Sequence, residues 1–279
     1  MMPPEVQQAV ERYRLNPDVL EILHHAKSGL WHVRSGERLL RWALADSSSA
    51  PHILRDAGML AVLERHQLAA PQLLALDQNE AFVVSVQTLL MPTALCDVTE
   101  VGLEEAGWRS LGAYIRAYQD RLQLPDFSPE HPEQAWEEKL RSLERRGEVG
   151  PQDVRWLRHW RSLLPGEGKR VLTHGYVDPA WIVAHPSRQL VLGLTEWSIA
   201  EHREPGHDLL RIPAEALPHV LEGYGPGAAP RLLRAKLSEL VQEARTTSQE
   251  VPLADQFDRF RAFLEPYRPT TRSALAQSL

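Results

Sequence analysis

The sequence predicts an α+β fold, in which a small β-rich lobe precedes a larger and mainly helical lobe. Short apolar runs separated by turn residues lie between residues 30 and 86, whereas apolar residues recur at helical spacing through most of the chain beyond residue 92. Pro92 falls where the pattern changes, so we expect a hinge over residues 87–92. The predicted lobes are residues 1–90 and residues 91–279.

Turn residues and changes of apolar spacing divide the first lobe into its elements. Asn16-Pro17 marks the end of a first helix. Ser35-Gly36 lies between two apolar runs and predicts a β-hairpin, and Pro51 suits the first turn of a later helix. The predicted order is helix 5–15, helix 18–25, strands 30–33 and 38–42, helix 51–63, and strands 73–76 and 81–86.

The second lobe is expected to be helical except for three short strands. Thr99 can cap the first helix of this lobe. A polar segment at residues 185–188 separates two short apolar runs and predicts a second hairpin. The predicted order is helices 99–118, 136–145 and 151–164, strands 170–172, 181–183 and 190–192, and helices 214–221, 230–246 and 254–264.

Composition and charge exclude several classes of protein. The net charge of −6 over 279 residues provides no basic surface for non-specific binding of nucleic acid. Cys96 is the single cysteine, which excludes an intramolecular disulfide and a thiolate zinc cluster. No apolar run is long enough to span a bilayer, and the first residues lack the pattern of a signal peptide. We therefore expect a cytoplasmic protein that binds neither nucleic acid nor membrane.

Three motifs in the second half of the chain point to a family. Residues 174–181 read His-Gly-Tyr-Val-Asp-Pro-Ala-Trp, residues 194–197 read Leu-Thr-Glu-Trp, and residues 205–209 read Pro-Gly-His-Asp-Leu. In order and spacing they resemble the catalytic loop, the metal-binding motif and the Pro-x-x-Asp-Leu segment of the aminoglycoside phosphotransferase and choline kinase superfamily. The resemblance implies a bilobal, protein-kinase-like fold, with ATP and magnesium as the cofactors of phosphate transfer.

The resemblance extends more loosely into the first half of the chain and covers about residues 27 to 265. It implies that Arg41 is the basic residue that binds the nucleotide, and that Asp56, in an Arg55-Asp56 pair, is the acidic partner of Arg41. Pro71 is similar to the proline that follows the helix of this acid. Without the resemblance, Arg41 would be interpreted as an exposed arginine on a strand.

The chain departs from the family at three positions of the site. Tyr176 stands at the place of the loop aspartate that accepts the proton, and a phenol is neutral at pH 7 and a poor base. Trp181 stands at the place of a magnesium-binding asparagine, but indole offers only an N–H donor and magnesium requires oxygen ligands. Glu196 replaces the metal-binding aspartate and keeps the carboxylate on a longer side chain. We expect His174 to pack the loop against the hairpin.

These departures predict a catalytically impaired pseudoenzyme. Loss of a general base typically costs ~10²- to 10⁴-fold in rate, and loss of a preorganised charge partner a further ~10²- to 10³-fold. The protein would then act by binding an unidentified small molecule or protein partner, with weak or absent binding of ATP and magnesium. One alternative is an active ATP-dependent small-molecule kinase, in which Asp178 and Glu196 form a rearranged site. Another is a scaffold that binds nucleotide without transferring phosphate.

Overall fold

The computed structural model of the protein describes residues 2–25, 29–90, 102–123, 132–164 and 170–243, together with Arg259 and Ala262. The chain divides into two compact units. The first contains residues 1–123, 174–201 and 211–224, and the second contains residues 124–173, 202–210 and 225–279. The expected lobe boundary after residue 90 adjoins residues 91–101, which lie outside the described residues, so that this boundary stays a prediction.

Seven α-helices and nine β-strands are present among the described residues. In chain order they are α1 (Pro4–Arg12), β1 (Leu20–His25), β2 (Leu30–Ser35), β3 (Arg38–Leu44), α2 (Ala50–Arg65), β4 (Leu73–Gln78), β5 (Phe82–Thr88), α3 (Glu105–Arg121), α4 (Pro132–Arg145), α5 (Pro151–Leu163), β6 (Val171–Thr173), β7 (Ile182–Ala184), β8 (Val191–Leu194), β9 (Glu201–Arg203), α6 (Leu217–Tyr224) and α7 (Ala228–Glu243). None of these helices is both long and apolar enough to cross a membrane.

The first unit is built on a five-stranded antiparallel sheet with the order β1-β2-β3-β5-β4. Alternate residues of its strands point to opposite faces, as the two-residue period of a strand requires. Leu40 and Trp42 of β3 join the apolar cluster that contains α1, whereas Ala43 packs with Ile53 of α2. Arg41 shares the face of Ala43, so the strand directs Arg41 toward α2.

The N-terminal region contains the clearest error of the sequence-based prediction. Residues 18–25 were expected to form a helix, but they form the end of a 3₁₀ turn at Pro17–Val19 followed by β1. All six residues of β1 pair with β2, from Leu20 opposite Ser35 to His25 opposite Leu30. Strand pairing in the tertiary structure overrides local spacing here. The two expected hairpins, formed by β2 with β3 and by β7 with β8, are confirmed.

Helices α3 and α6 of the first unit approach each other closely through glycine. A Cβ atom added at Gly112 of α3 would overlap the carbonyl oxygen of Val220, and one at Gly223 would overlap that of Arg109. The hydroxyl of Ser110 on α3 accepts a hydrogen bond of 3.1 Å from the Val191 N–H. Helix α3 of this pair therefore holds the start of β8, the strand that leads into the candidate site. The start expected for α3 at Thr99 lies outside the described residues.

The second unit packs α4, α5 and α7 around one apolar core, beside a group of charges whose two arginines are buried. This group, the Arg161 cluster, consists of Arg161, Arg234, Glu133 and Glu204. Arg161 donates to Glu133 at 2.9 and 3.0 Å and to Glu204 at 2.7 Å, and Arg234 forms ion pairs with the same two carboxylates. The Ser238 hydroxyl donates to Glu204 at 2.6 Å. Of the helix expected over residues 254–264, only Arg259 and Ala262 are described.

Candidate functional site

Arg41 occupies the centre of the candidate site. The residue is 3% exposed, and its Nη1 donates to Asp56 Oδ2 at 2.8 Å. Its Nη2 forms an ion pair with Glu196. Asp56 comes from α2, and Glu196 follows β8, so three separate parts of the chain supply one cation and two carboxylates. We call these three residues the Arg41 cluster.

Asp56 also attaches α2 to the chain that follows β8. Its second carboxylate oxygen, Oδ1, accepts a hydrogen bond of 2.8 Å from the Trp197 N–H. The preceding residue, Arg55, donates to the Ser198 carbonyl oxygen at 3.3 Å. The Arg55-Asp56 pair therefore holds the backbone beside Glu196 in place at two successive residues.

Burial and pairing act in opposite directions on the charges of the Arg41 cluster. Burial raises the pKa of Asp56, while the charge of Arg41 and the Trp197 N–H oppose this rise. Burial lowers the pKa of Arg41, and the Asp56 carboxylate opposes that change. Each partner thus stabilises the charged form of the other.

Glu196 reaches Arg41 from an unusual backbone conformation. Its φ of 60° and ψ of 51° lie in the left-handed region, which is uncommon for a residue with a side chain. The side chain is 24% exposed, compared with 3% for that of Asp56. Glu196 is therefore the more accessible carboxylate of the cluster.

His174 is fully buried and joins the loop to the end of β8. Its Nδ1 lies 2.9 Å from the Tyr176 carbonyl oxygen, and its Nε2 lies 2.7 Å from the Thr195 carbonyl oxygen. The ring also makes an edge-to-face contact with Trp197, whose indole contacts Tyr118 of α3 in the same way. These contacts agree with the packing role expected for His174.

Gly175 allows the loop to pass close to a neighbouring backbone. Its φ is +93°, a conformation that a side chain disfavours, and an added Cβ would overlap the Ile199 carbonyl oxygen. The His-Gly pair of the motif thus has a structural reason in both of its residues.

Tyr176 lies on the surface at the position where the family resemblance places the catalytic base. It is 39% exposed, and the guanidinium of Arg211 stacks over its ring at 5.6 Å from the centroid. Arg211 was not identified from the sequence, because none of the three motifs includes it or connects it with the loop.

Asp178 and Trp181 are both used by the local structure of the loop. Asp178 Oδ1 accepts a hydrogen bond of 2.9 Å from the Ala180 N–H and caps the 3₁₀ turn Pro179–Trp181. The Trp181 carbonyl oxygen accepts a hydrogen bond of 3.0 Å from the Thr195 N–H. Among the described residues, no hydrogen bond or ion pair joins Asp178, Trp181 or Tyr176 to the Arg41 cluster.

The three sequence motifs do not all belong to the same compact unit. Arg41, Asp56 and Glu196 come together, with His174 one contact away through Thr195 and Trp197. The Pro205–Leu209 motif belongs to the second unit, where Asp208 is 1% exposed within a 3₁₀ turn. Sequence reasoning missed the ion pair between Arg41 and Glu196, because the resemblance assigned one residue to phosphate and the other to metal.

Comparison with solved structures identifies the fold as that of the aminoglycoside and macrolide phosphotransferases. Macrolide 2′-phosphotransferase MphH from Brachybacterium faecium is 19% identical over 97% of this chain and 100% of its own, with a TM-score of 0.56. The GDP complex of aminoglycoside 2′-phosphotransferase-IIIa is 11% identical, covers 92% and 96% of the two chains, and gives a TM-score of 0.58. The streptomycin–ATP complex of APH(2″)-IIa is 12% identical over 88% and 92%, with a TM-score of 0.59.

The comparison confirms the predicted kinase-like α+β fold, with an antiparallel sheet in the N-terminal part and helices in the C-terminal part. Neither a protein-family model nor a curated protein sequence matches the chain. At these levels of identity the likeness establishes the fold, and function has to be argued from the site.

The residues of this chain do not fit the magnesium ions that the resemblance implies. Trp181 supplies an N–H donor in place of an oxygen ligand. Glu196 supplies a carboxylate, but Arg41 occupies it. One atom does suit an anionic ligand: Nε of Arg41 is buried and has no hydrogen-bond partner among the described residues.

Proposed function

We propose that this protein has kept the phosphotransferase fold as a binding protein and does not transfer phosphate. The main support is the ion pair between Arg41 and Glu196, which adds to the Arg41–Asp56 pair that the family resemblance implies. By family resemblance Arg41 faces the nucleotide and Glu196 faces the metal, and here each neutralises the other. Phosphate transfer depends on positioned phosphates and metal ions, so this pairing opposes catalysis.

The loop gives independent support, because it offers no carboxylate at the position of the base. Tyr176 carries a phenol with Arg211 over its ring, and Asp178 uses one carboxylate oxygen to cap its own turn. In a kinase of this fold, the loop must instead present a carboxylate to the acceptor hydroxyl. Without that base the transfer step would be slow, and without an asparagine oxygen ATP and magnesium would bind weakly or not at all.

The ligand class is suggested by the solved structures that share the fold. These include phosphotransferases of macrolides and aminoglycosides, one of them a complex with streptomycin. We propose that the protein binds a small molecule, with macrolides and aminoglycosides as the first classes to test. The second hypothesis is a protein partner, and it would be favoured if none of the small molecules bound.

Two measurements on the full chain test the proposal. Incubation with labelled ATP, magnesium and a panel of macrolides, aminoglycosides, sugars and amino alcohols should give transfer at the background rate. Calorimetry should show no micromolar, magnesium-dependent affinity for ATP. Micromolar affinity for ATP and magnesium would contradict the predicted weak binding, and with background transfer it would indicate a nucleotide-dependent scaffold.

The active-kinase alternative makes a different prediction. Asp178 is partly exposed, and one oxygen of its carboxylate, Oδ1, accepts the hydrogen bond from the Ala180 N–H. The other carboxylate oxygen could act as a base within the loop. If Asp178 and Glu196 form a rearranged site, the panel should show turnover that Asp178→Asn abolishes. Asp153→Asn, at the start of α5, is the matched control and should leave such turnover intact. Turnover with this dependence would overturn the binding-protein proposal.

A further inference from the structure

The guanidinium of Arg41 has a nearly complete set of partners within the protein. Nη1 donates to Asp56 at 2.8 Å, and Nη2 pairs with Glu196. Only Nε lacks a partner among the described residues. A phosphate group that approaches Arg41 therefore has to compete with a carboxylate for the strongest donors of this side chain.

The two carboxylates of the Arg41 cluster are not equally replaceable. Asp56 accepts hydrogen bonds from both Arg41 and the Trp197 N–H, and its side chain is 3% exposed. Glu196 has a 24% exposed side chain, and within the described part of the chain its one ion pair is with Arg41. If Glu196 leaves, the remaining Arg41–Asp56 pair is neutral and keeps all of its other contacts.

We propose that Glu196 is a latch that closes Arg41 against phosphate-bearing ligands. Glutamate is one methylene longer than the aspartate of the family motif, and in this structure its carboxylate reaches the guanidinium. Opening the latch exposes the Nη2 donor and removes one negative charge from beside it. The inference rests on the proposed function in one respect, namely that Arg41 is the group that faces a phosphate-bearing ligand.

The latch is tested by titrating ADP, without divalent metal and with EDTA present, into the full-length protein. Glu196→Gln removes the charge at constant side-chain length and should bind ADP about tenfold or more tightly than the wild type, the value of one charge-assisted hydrogen bond. Glu196→Asp shortens the side chain and should also bind ADP more tightly. Glu201→Gln changes the net charge equally at the exposed first residue of β9 and should bind ADP as the wild type does.

Adenosine, which carries no phosphate, separates the latch from a general change of the site. The affinity for adenosine should be the same in the wild type and in Glu196→Gln. Equal affinity of these two proteins for ADP would overturn the latch, and so would an equal gain for adenosine and ADP. Phosphate transfer by the wild type would instead overturn the proposed function. The ratio of the ADP affinities of Glu196→Gln and the wild type would still show whether the latch exists.

Discussion

The two compact units each contain a cluster in which buried arginine pairs with carboxylates, and the two clusters differ in their balance of charge. The Arg161 cluster pairs two arginines with two glutamates, and Ser238 donates to one of them. The Arg41 cluster pairs one arginine with two carboxylates. The Arg161 cluster therefore has as many cations as carboxylates, whereas the Arg41 cluster has one carboxylate more than it has cations.

This difference separates a structural role from a role in binding. In the Arg161 cluster each arginine pairs with both glutamates, so removal of either glutamate leaves two buried arginines with a single carboxylate. In the Arg41 cluster, removal of Glu196 improves the balance of charge. We therefore expect stability to depend on the first cluster, and ligand binding to depend on the second.

The largest effect is expected from Glu204→Ala in the balanced cluster. The variant leaves two buried arginines facing Glu133 alone, and breaking a buried ion pair on one side typically costs about 3–5 kcal/mol in the free energy of unfolding. Urea titration measures this loss. The double variant Arg161→Met/Glu204→Met retains the Arg234–Glu133 pair and should recover most of the loss. A single variant as stable as the wild type would remove the contrast between the clusters.

The next largest effect is expected from a substitution that disturbs the backbone of the candidate site and leaves its charges in place. Gly175→Ala puts a side chain at φ +93° and against the Ile199 carbonyl oxygen, which we expect to cost about 2–3 kcal/mol in the free energy of unfolding. Gly36→Ala is the matched control, because Gly36 has a φ of +56° but no atom within 4 Å of an added Cβ. The control should lose only about 1 kcal/mol. Equal losses would show that the close contact at Gly175 is unimportant.

A smaller effect is expected from Glu196→Gln in the unbalanced cluster. Arg41 stays paired with Asp56, so the free energy of unfolding should change by no more than about 1 kcal/mol. Asp56→Asn should cost more, because it weakens the contacts with both Arg41 and the Trp197 N–H. Urea titration of the two variants side by side tests this order. A larger loss for Glu196→Gln would assign Glu196 a structural role and contradict the comparison.

The sequence predicted the parts of the site that are fixed by local pattern. Turns and apolar runs predicted the strand that carries Arg41 and the strand that precedes Glu196, and the family resemblance paired Arg41 with Asp56. The pairing of Arg41 with Glu196 could not be predicted, because it depends on how far one side chain reaches in three dimensions. The contact of Arg211 with Tyr176 likewise joins segments with no common motif. The helix expected over residues 18–25 failed because a neighbouring strand determines the structure there.

The smallest effect concerns Glu137 of α4, which extends the comparison to a partly exposed pair. Glu137 accepts hydrogen bonds from Arg158 at 2.5 and 3.2 Å and from Arg141 at 2.9 Å, and its side chain is 27% exposed. The hydrogen bond to Arg158 lowers the pKa of Glu137 below its ordinary value of 4.5, against the effect of burial. A lowered pKa means that the folded state favours the carboxylate, so this stabilisation is present above the unfolded-state pKa. It is lost as the pH falls through the folded-state pKa.

Glu137→Gln should therefore lower the free energy of unfolding by about 0.5 kcal/mol at neutral pH, as partly exposed ion pairs usually contribute little. The difference from the wild type should shrink when urea titrations at about pH 7 are repeated at about pH 3.5. Glu138→Gln removes a neighbouring exposed charge that hydrogen-bonds to Gln134 and serves as the control, with little expected effect at either pH. A loss for Glu137→Gln that is the same at both pH values would show that its charge does not stabilise the fold. Only ion pairs with a buried arginine, such as those of the Arg161 cluster, would then be essential to the stability of this protein.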